Sequence, residues 1–279
     1  MPYVTPYQLI DDVIHSGVLK SSLTIKQMFL RGTLSGAILG AATAVSLTAA
    51  AQTGLPIVGA VLFPAGFAII LLLGLELVTG SFALIPLAIL EGRTTPRKGL
   101  TNFGVVTGAH LFGAVLFGLL YVVSITYLGS QASDPVIQAI IKLADHKVLP
   151  YEAVGPGGIL VAIIKGMLAN WMVALGTMMF YVSKSTAGKV LAMWLPVTIF
   201  FSLGFEHAIV NMFVIPAGMM LGAPISIGQW LLWNQIPVLV GNLLGAILFT
   251  ALPVYFSHRI RVNRAAAHDG ANDAVLSRS

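Results

Sequence analysis

Cysteine is absent from the 279 residues, which excludes disulfides, thiolate metal sites and a cysteine nucleophile together. Charge is nearly as scarce. Only 9% of residues are charged against 57% hydrophobic, too few to cover a soluble fold of this length. No basic segment, short apolar core and cleavage site follow Met1, so a signal peptide is not expected. Neither a catalytic triad, a P-loop nor a carboxylate dyad is visible, so the chain reads as a non-enzyme with no cofactor and no metal.

Long apolar runs are what the chain does have. A helix crossing a bilayer takes about 20 predominantly apolar residues. Charge-poor runs fall at 28–52, 57–91, 101–129, 156–183, 187–221 and 227–257. They predict an all-α integral membrane protein with six transmembrane helices. The second and fifth runs are 35 residues long and hold Pro, Gly and Glu, so helices 2 and 5 are read as broken.

Basic residues give the orientation. Lys20, Lys26 and Arg31 precede the first run, Arg93, Arg97 and Lys98 follow the second, Lys184 and Lys189 follow the fourth, and Arg259, Arg261, Arg264 and Arg278 follow the sixth. The opposite loops hold Lys142 and Lys147, with Lys165 near the start of the fourth run. The positive-inside rule therefore places both termini in the cytoplasm. Topology, rather than nucleic acid, accounts for the net charge of +5.

The halves resemble one another. "GLELVTGSFALIP" (74–86) aligns with "GFEHAIVNMFVIP" (204–216), keeping Gly, Glu, Ile and Pro in register. "RGTLSG" (31–36) aligns with "KGMLAN" (165–170), and "GAHLFGAVLF" (108–117) with "VGNLLGAILF" (240–249). Each half has an odd number of spans, so the second should be inverted relative to the first. Such a 3+3 inverted repeat places a binding or permeation site near the midplane.

The chain then divides into an N-terminal cytoplasmic amphipathic segment (1–27), a first three-helix repeat (28–130), an external loop (131–155), a second inverted repeat (156–258) and a disordered cytoplasmic tail (259–279). Leu9, Ile10, Val13, Ile14 and Val18 share one helical face, as in an amphipathic helix lying at the cytoplasmic surface. Residues 133–148 read as a short external helix. Gly32, Gly36 and Gly40 suit close helix contact, within the protomer or between protomers.

At the breaks, Glu76 and Glu206 occupy matching positions. Their duplication suggests a structural role, capping the orphan N–H groups of each interrupted helix. His207 has no such counterpart, since Leu77 stands opposite it. An ionisable residue at membrane depth is a functional candidate by default. The Thr79 hydroxyl at the other break is placed to bond one imidazole nitrogen, leaving the other to face a passage. The half-helices starting near Ser81 and Ala208 would aim positive dipole ends inward, which suits an anion.

"LELVTGS", "KGMLANWMV", "LPVTIFFSLGFEHAIVNMFVIP", "NQIPVLVGNLLGAILF" and the external "ADHK" resemble the formate/nitrite transporter family over residues 5–257. The resemblance implies an aquaporin-like protomer and a homopentamer in a bacterial or archaeal cytoplasmic membrane. It also implies that each protomer has its own pore, with small monovalent anions such as formate, nitrite, acetate, lactate or hydrosulfide as cargo. It makes His207 the central pore histidine, Thr79 its hydroxyl partner and Asn170 a polar neighbour. Phe63 and Phe67 fall at the cytoplasmic constriction and Phe200 at the periplasmic one, while Lys20 and Lys147 draw anions into the vestibules. Phe67 stands where well-known formate channels carry Leu, and His110 where many members have Asn.

Formate, carried with a proton through His207, is the first expected cargo, and nitrite the second. A neutral-solute pore would share the architecture, but the paired Asn-Pro-Ala caps of aquaporins are missing. A haem subunit using His110 and His207 as axial ligands lacks any accompanying redox motif.

Overall fold

The computed structural model describes residues 3–131 and 133–259; the expected C-terminal tail, Arg259 apart, lies outside them. Among the described residues there are helices but no strand, only one isolated antiparallel bridge between Tyr3 and Ser183. In chain order the helices are α1 (Pro6–Ser21), α2 (Ile25–Thr53), α3 (Pro56–Leu62), α4 (Pro64–Leu72), α5 (Val78–Leu90) and α6 (Pro96–Ile125). There follow α7 (Pro135–Val154), α8 (Pro156–Tyr181), α9 (Thr186–Ser202), α10 (Ala208–Met220), α11 (Ile227–Trp230) and α12 (Ile236–Ala246). Helical structure runs from Ile227 to Arg259, widening to π-helix at Leu231–Gln235 and Ile247–Ala251. The segments Ile25–Thr53, Pro96–Ile125, Pro156–Tyr181 and Ile227–Arg259 are long and apolar enough to cross a membrane. The helices between them are apolar but shorter.

Local chemistry sets the helix starts. Thr5, Thr24 and Ser226 form capping boxes with Gln8, Gln27 and Gln229, each satisfying orphan donors reciprocally. The ends before the two non-helical stretches are set by glycine. Gly74 and Gly204 have φ of 62° and 64°, the left-handed conformation that a side chain disfavours. Leu75 N–H then donates to the Ile70 carbonyl and Phe205 N–H to that of Phe200, closing a Schellman turn at each site. That accounts for the Gly in both copies of the Gly-x-Glu string.

Glycine also lets the long helices touch. α2 lies along α6, and α8 along α12. A Cβ at Gly113 would stand 2.0 Å from the Thr33 carbonyl oxygen, and one at Gly245 would stand 2.1 Å from that of Met167. Within the protomer, Gly32 meets Ala109, Gly36 meets the His110 backbone and Gly40 meets Phe117.

The apolar face of α1, carrying Leu9, Ile10, Val13 and Ile14, is buried against α5. Gly17 makes this possible, because a Cβ there would meet the Leu84 carbonyl oxygen at 2.3 Å. One expectation is corrected: the helix read over 133–148 is longer. It runs to Val154 as α7 and carries Lys147 and Tyr151 inward, both buried.

Candidate functional site

The first N–H groups of α5 and α10 have no intrahelical partner and need one from elsewhere. Val78 N–H donates to His110 Nε2 at 3.1 Å, and Ala208 N–H donates to Asn242 Oδ1 at 2.9 Å. The same two side chains grip the neighbouring helix. His110 Nδ1–H donates to the Gly32 carbonyl at 2.8 Å, and Asn242 Nδ2–H to the Gly166 carbonyl at 2.8 Å. His110 thus does with an imidazole what Asn242 does with an amide. A carbonyl only accepts and an amide N–H only donates, so these bonds fix His110 as the neutral Nδ1–H tautomer.

The expected caps, Glu76 and Glu206, are not caps. Neither carboxylate accepts from a backbone N–H of α5 or α10 among the described residues. Glu76 instead accepts from Lys20 Nζ at 2.8 Å and Asn102 Nδ2 at 3.2 Å. Glu206 accepts from Lys147 Nζ (2.9 Å), Tyr151 Oη (2.9 Å), Asn211 Nδ2 (2.7 Å) and Asn234 Nδ2 (3.3 Å). Burial and the adjacent carboxylate push the Tyr151 phenol above its usual range, so it stays a donor. Asn102 and Asn234 also reach the Lys20 and Lys147 carbonyls, completing two matching Lys, Glu and Asn clusters. A buried carboxylate is tolerable only when paired and hydrogen-bonded, and here the partner is a lysine rather than a helix end.

His207 and Thr79 meet as expected. His207 Nε2 lies 3.1 Å from Thr79 Oγ1. The second nitrogen also has a partner within the protein. Val210 N–H donates to Nδ1 at 3.4 Å, so the neutral ring carries its proton on Nε2 and donates to the hydroxyl. Asn170 Nδ2 donates to the Thr79 carbonyl at 3.1 Å and to the Asn242 carbonyl at 2.7 Å, tying α8 to both units.

The phenylalanines divide differently from expectation. Phe63 is not set apart from Phe200 but packs against it, edge to face at 5.7 Å between centroids. Phe200 also lies over His207 at 5.6 Å. A cavity of about 430 Å³ adjoins this group, lined among others by Phe200, Phe201, His207, Lys147 and Ser46. A second, of about 230 Å³, is lined by Lys20, Glu76, Arg31, Leu71 and Tyr181. The two share no lining residue. Phe63, Phe67 and Leu71 recur every four residues on one face. Buried Phe67 therefore sits one turn from the aromatic group beside the first cavity and one turn from the wall of the second.

Asn102, Tyr151, Asn211, Asn234 and Asn242 brace this site and were not singled out by role in the sequence, while His110, noted there as a departure and a haem-ligand candidate, instead caps α5. The similarity of the two halves in sequence was the available signal, because Asn102 aligns with Asn234, and His110 with Asn242, at one offset. Polar residues inside apolar spans are otherwise rare.

The family model for the formate/nitrite transporter matches residues 7–256. The chain belongs to the formate/nitrite transporter family. It is a multi-pass membrane protein, and the family consists of transporters and channels rather than enzymes. It is 31% identical over 261 residues to the formate channel FocA of Escherichia coli (strain K12), covering 85% of this chain and 88% of that one. It is 26% identical over 270 residues to the formate channel BtFdhC of Bacillus thuringiensis, covering 92% and 96%. Among solved structures, an "FNT family ion channel" matches with TM-score 0.77 at 21% identity, over 89% of this chain and 98% of that one. A "Pentameric formate channel with formate bound" matches with TM-score 0.70 at 21% identity, over 84% and 97%. Both support the fold.

Proposed function

We propose that this protein carries small monovalent anions, formate first and nitrite second, together with a proton, past His207. The observation that carries the reading is the Thr79 to His207 contact beside a cavity that also exposes Lys147. Moving a bare carboxylate from water into a dry constriction carries an idealised cost of about 20 kcal/mol. Crossing as the neutral acid avoids most of it. In water, imidazolium (reference pKa ~6.5) gives its proton to a carboxylate (~4) only at about 3–4 kcal/mol uphill. Desolvation penalises the ion pair more than the neutral pair, which reverses the preference inside the constriction.

In this reading the stretch 56–90 and the stretch 186–220 each make one interrupted crossing. With the four long helices they form six spans in a 3+3 inverted repeat with both termini cytoplasmic. The divisions at 1–27, 28–130, 131–155 and 156–258 follow from that topology. The similarity to a solved pentameric channel supports a homopentamer with one pore per protomer. Phe200 with Phe63 closes the outer side, and Phe67 closes the inner side. Lys147 and Lys20 each spend one N–H on a glutamate and offer the remaining donors to an anion in the outer and inner cavity.

Flux of formate, nitrite and acetate into proteoliposomes, measured against pH, tests this. The expected order is formate and nitrite above acetate, each rising as external pH falls. Permeation of water or glycerol without any anion flux would overturn it.

A further inference from the structure

His110 is where the two halves use different chemistry for one task. Both of its nitrogens are occupied and its side chain is fully buried. Asn242, its counterpart, presents an amide, which does not titrate; an imidazole does. Protonation at Nε2 would remove the lone pair that Val78 N–H uses and set one donor against another. Val78 directly precedes Thr79, whose hydroxyl meets His207. The chain of contacts runs from the His110 ring through one backbone amide to the pore threonine.

The ring's surroundings define its titration. The helix that carries it, α6, packs against α1, α2, α5 and α10. α5 and α10 carry no titratable residue, and α2 carries only Lys26 and Arg31, the latter turned to the Gly74 carbonyl. α1 carries Tyr7, Asp11, Asp12, His15 and Lys20, with Lys20 paired to Glu76.

We propose that His110 is a positioning residue for transport: only its neutral Nδ1–H form caps α5 and holds Thr79 against His207, and protonating His110 disables the passage. The inference rests on the transport reading above and adds an inhibitory proton to it, separate from the transported one. His110→Asn supplies the amide that already serves at Asn242, retaining the cap and removing the titration. His110→Leu removes both.

The test compares formate flux in proteoliposomes for the native protein and the two variants across pH, with pentamer recovery in detergent checked for each. The ratio of H110N to native flux should stay near one at neutral pH and rise in acid, toward about tenfold per pH unit below the His110 pKa. H110L should lose flux at every pH while H110N retains it. A flat H110N to native ratio, or native flux from H110L, overturns the proposal and leaves anion transport standing. Should H110L fail to assemble, the H110N ratio decides alone. Imidazole ¹⁵N spectra of the native protein in lipid, with His110 assigned by its loss in H110N, give a readout independent of flux. They should show Nδ1–H with a bare Nε2 at neutral pH and a doubly protonated ring in acid. The opposite tautomer at neutral pH overturns the proposal even if no anion moves, an outcome that would separately sink the transport reading.

Discussion

His207 Nε2 and Thr79 Oγ1 lie 3.1 Å apart although 128 residues separate them in the chain. The bond joins the stretch before α10 to the first turn of α5, so one contact registers the two halves of the molecule. If it also aligns the proton donor, Thr79→Val should keep the packing and lose the function. A net hydrogen bond of about 1–1.5 kcal/mol corresponds to roughly tenfold in formate flux. Thr79→Ser should stay near native. Equal fluxes for the native protein and T79V would remove the hydroxyl from the pathway.

The two buried ion pairs differ in support, four side-chain donors on Glu206 against two on Glu76. Glu206→Gln strands Lys147, which is buried, and removing one partner of such a pair costs about 3–5 kcal/mol. Thermal unfolding in detergent should show a larger loss for E206Q than for E76Q. K147M/E206Q should recover much of it, since two matched apolar or neutral groups leave no uncompensated charge. Indistinguishable unfolding of E206Q and native protein would contradict the pairing.

Phe67 is read as the ring between the two cavities. Phe67→Ala should raise acetate flux severalfold relative to formate, with Phe67→Leu intermediate, in competitive proteoliposome uptake. An unchanged acetate to formate ratio would place the inner closure elsewhere.

The all-helical apolar architecture and the meeting of Thr79 with His207 were legible because they rest on local signals: apolar runs, Gly-x-Glu strings and a lone ionisable group at depth. Partner choice was not. Glu76 and Glu206 sit beside helix starts in sequence, which suggests capping, but the acceptors come from α6 and α12. Lys20 reaches Glu76 from a helix 56 positions away, and Lys147 reaches Glu206 from one 59 away, separations that no periodicity encodes. Phe63 and Phe200 were assigned to opposite ends for the same reason: the α3 to α9 packing that stacks Phe63 on Phe201, at 4.1 Å, has no sequence signature. His110 read as a departure from a pattern. Its bonds to Val78 and Gly32 show an imidazole filling an amide's place.

The claim that a proton passes through His207 with the anion is tested most directly by recording formate uptake and lumenal pH together in one proteoliposome preparation. The native protein should move one proton with each formate and His207→Asn should lose that coupling, either passing formate alone or passing none. Proton-coupled uptake by the His207→Asn protein, with its pH dependence intact, would contradict the account.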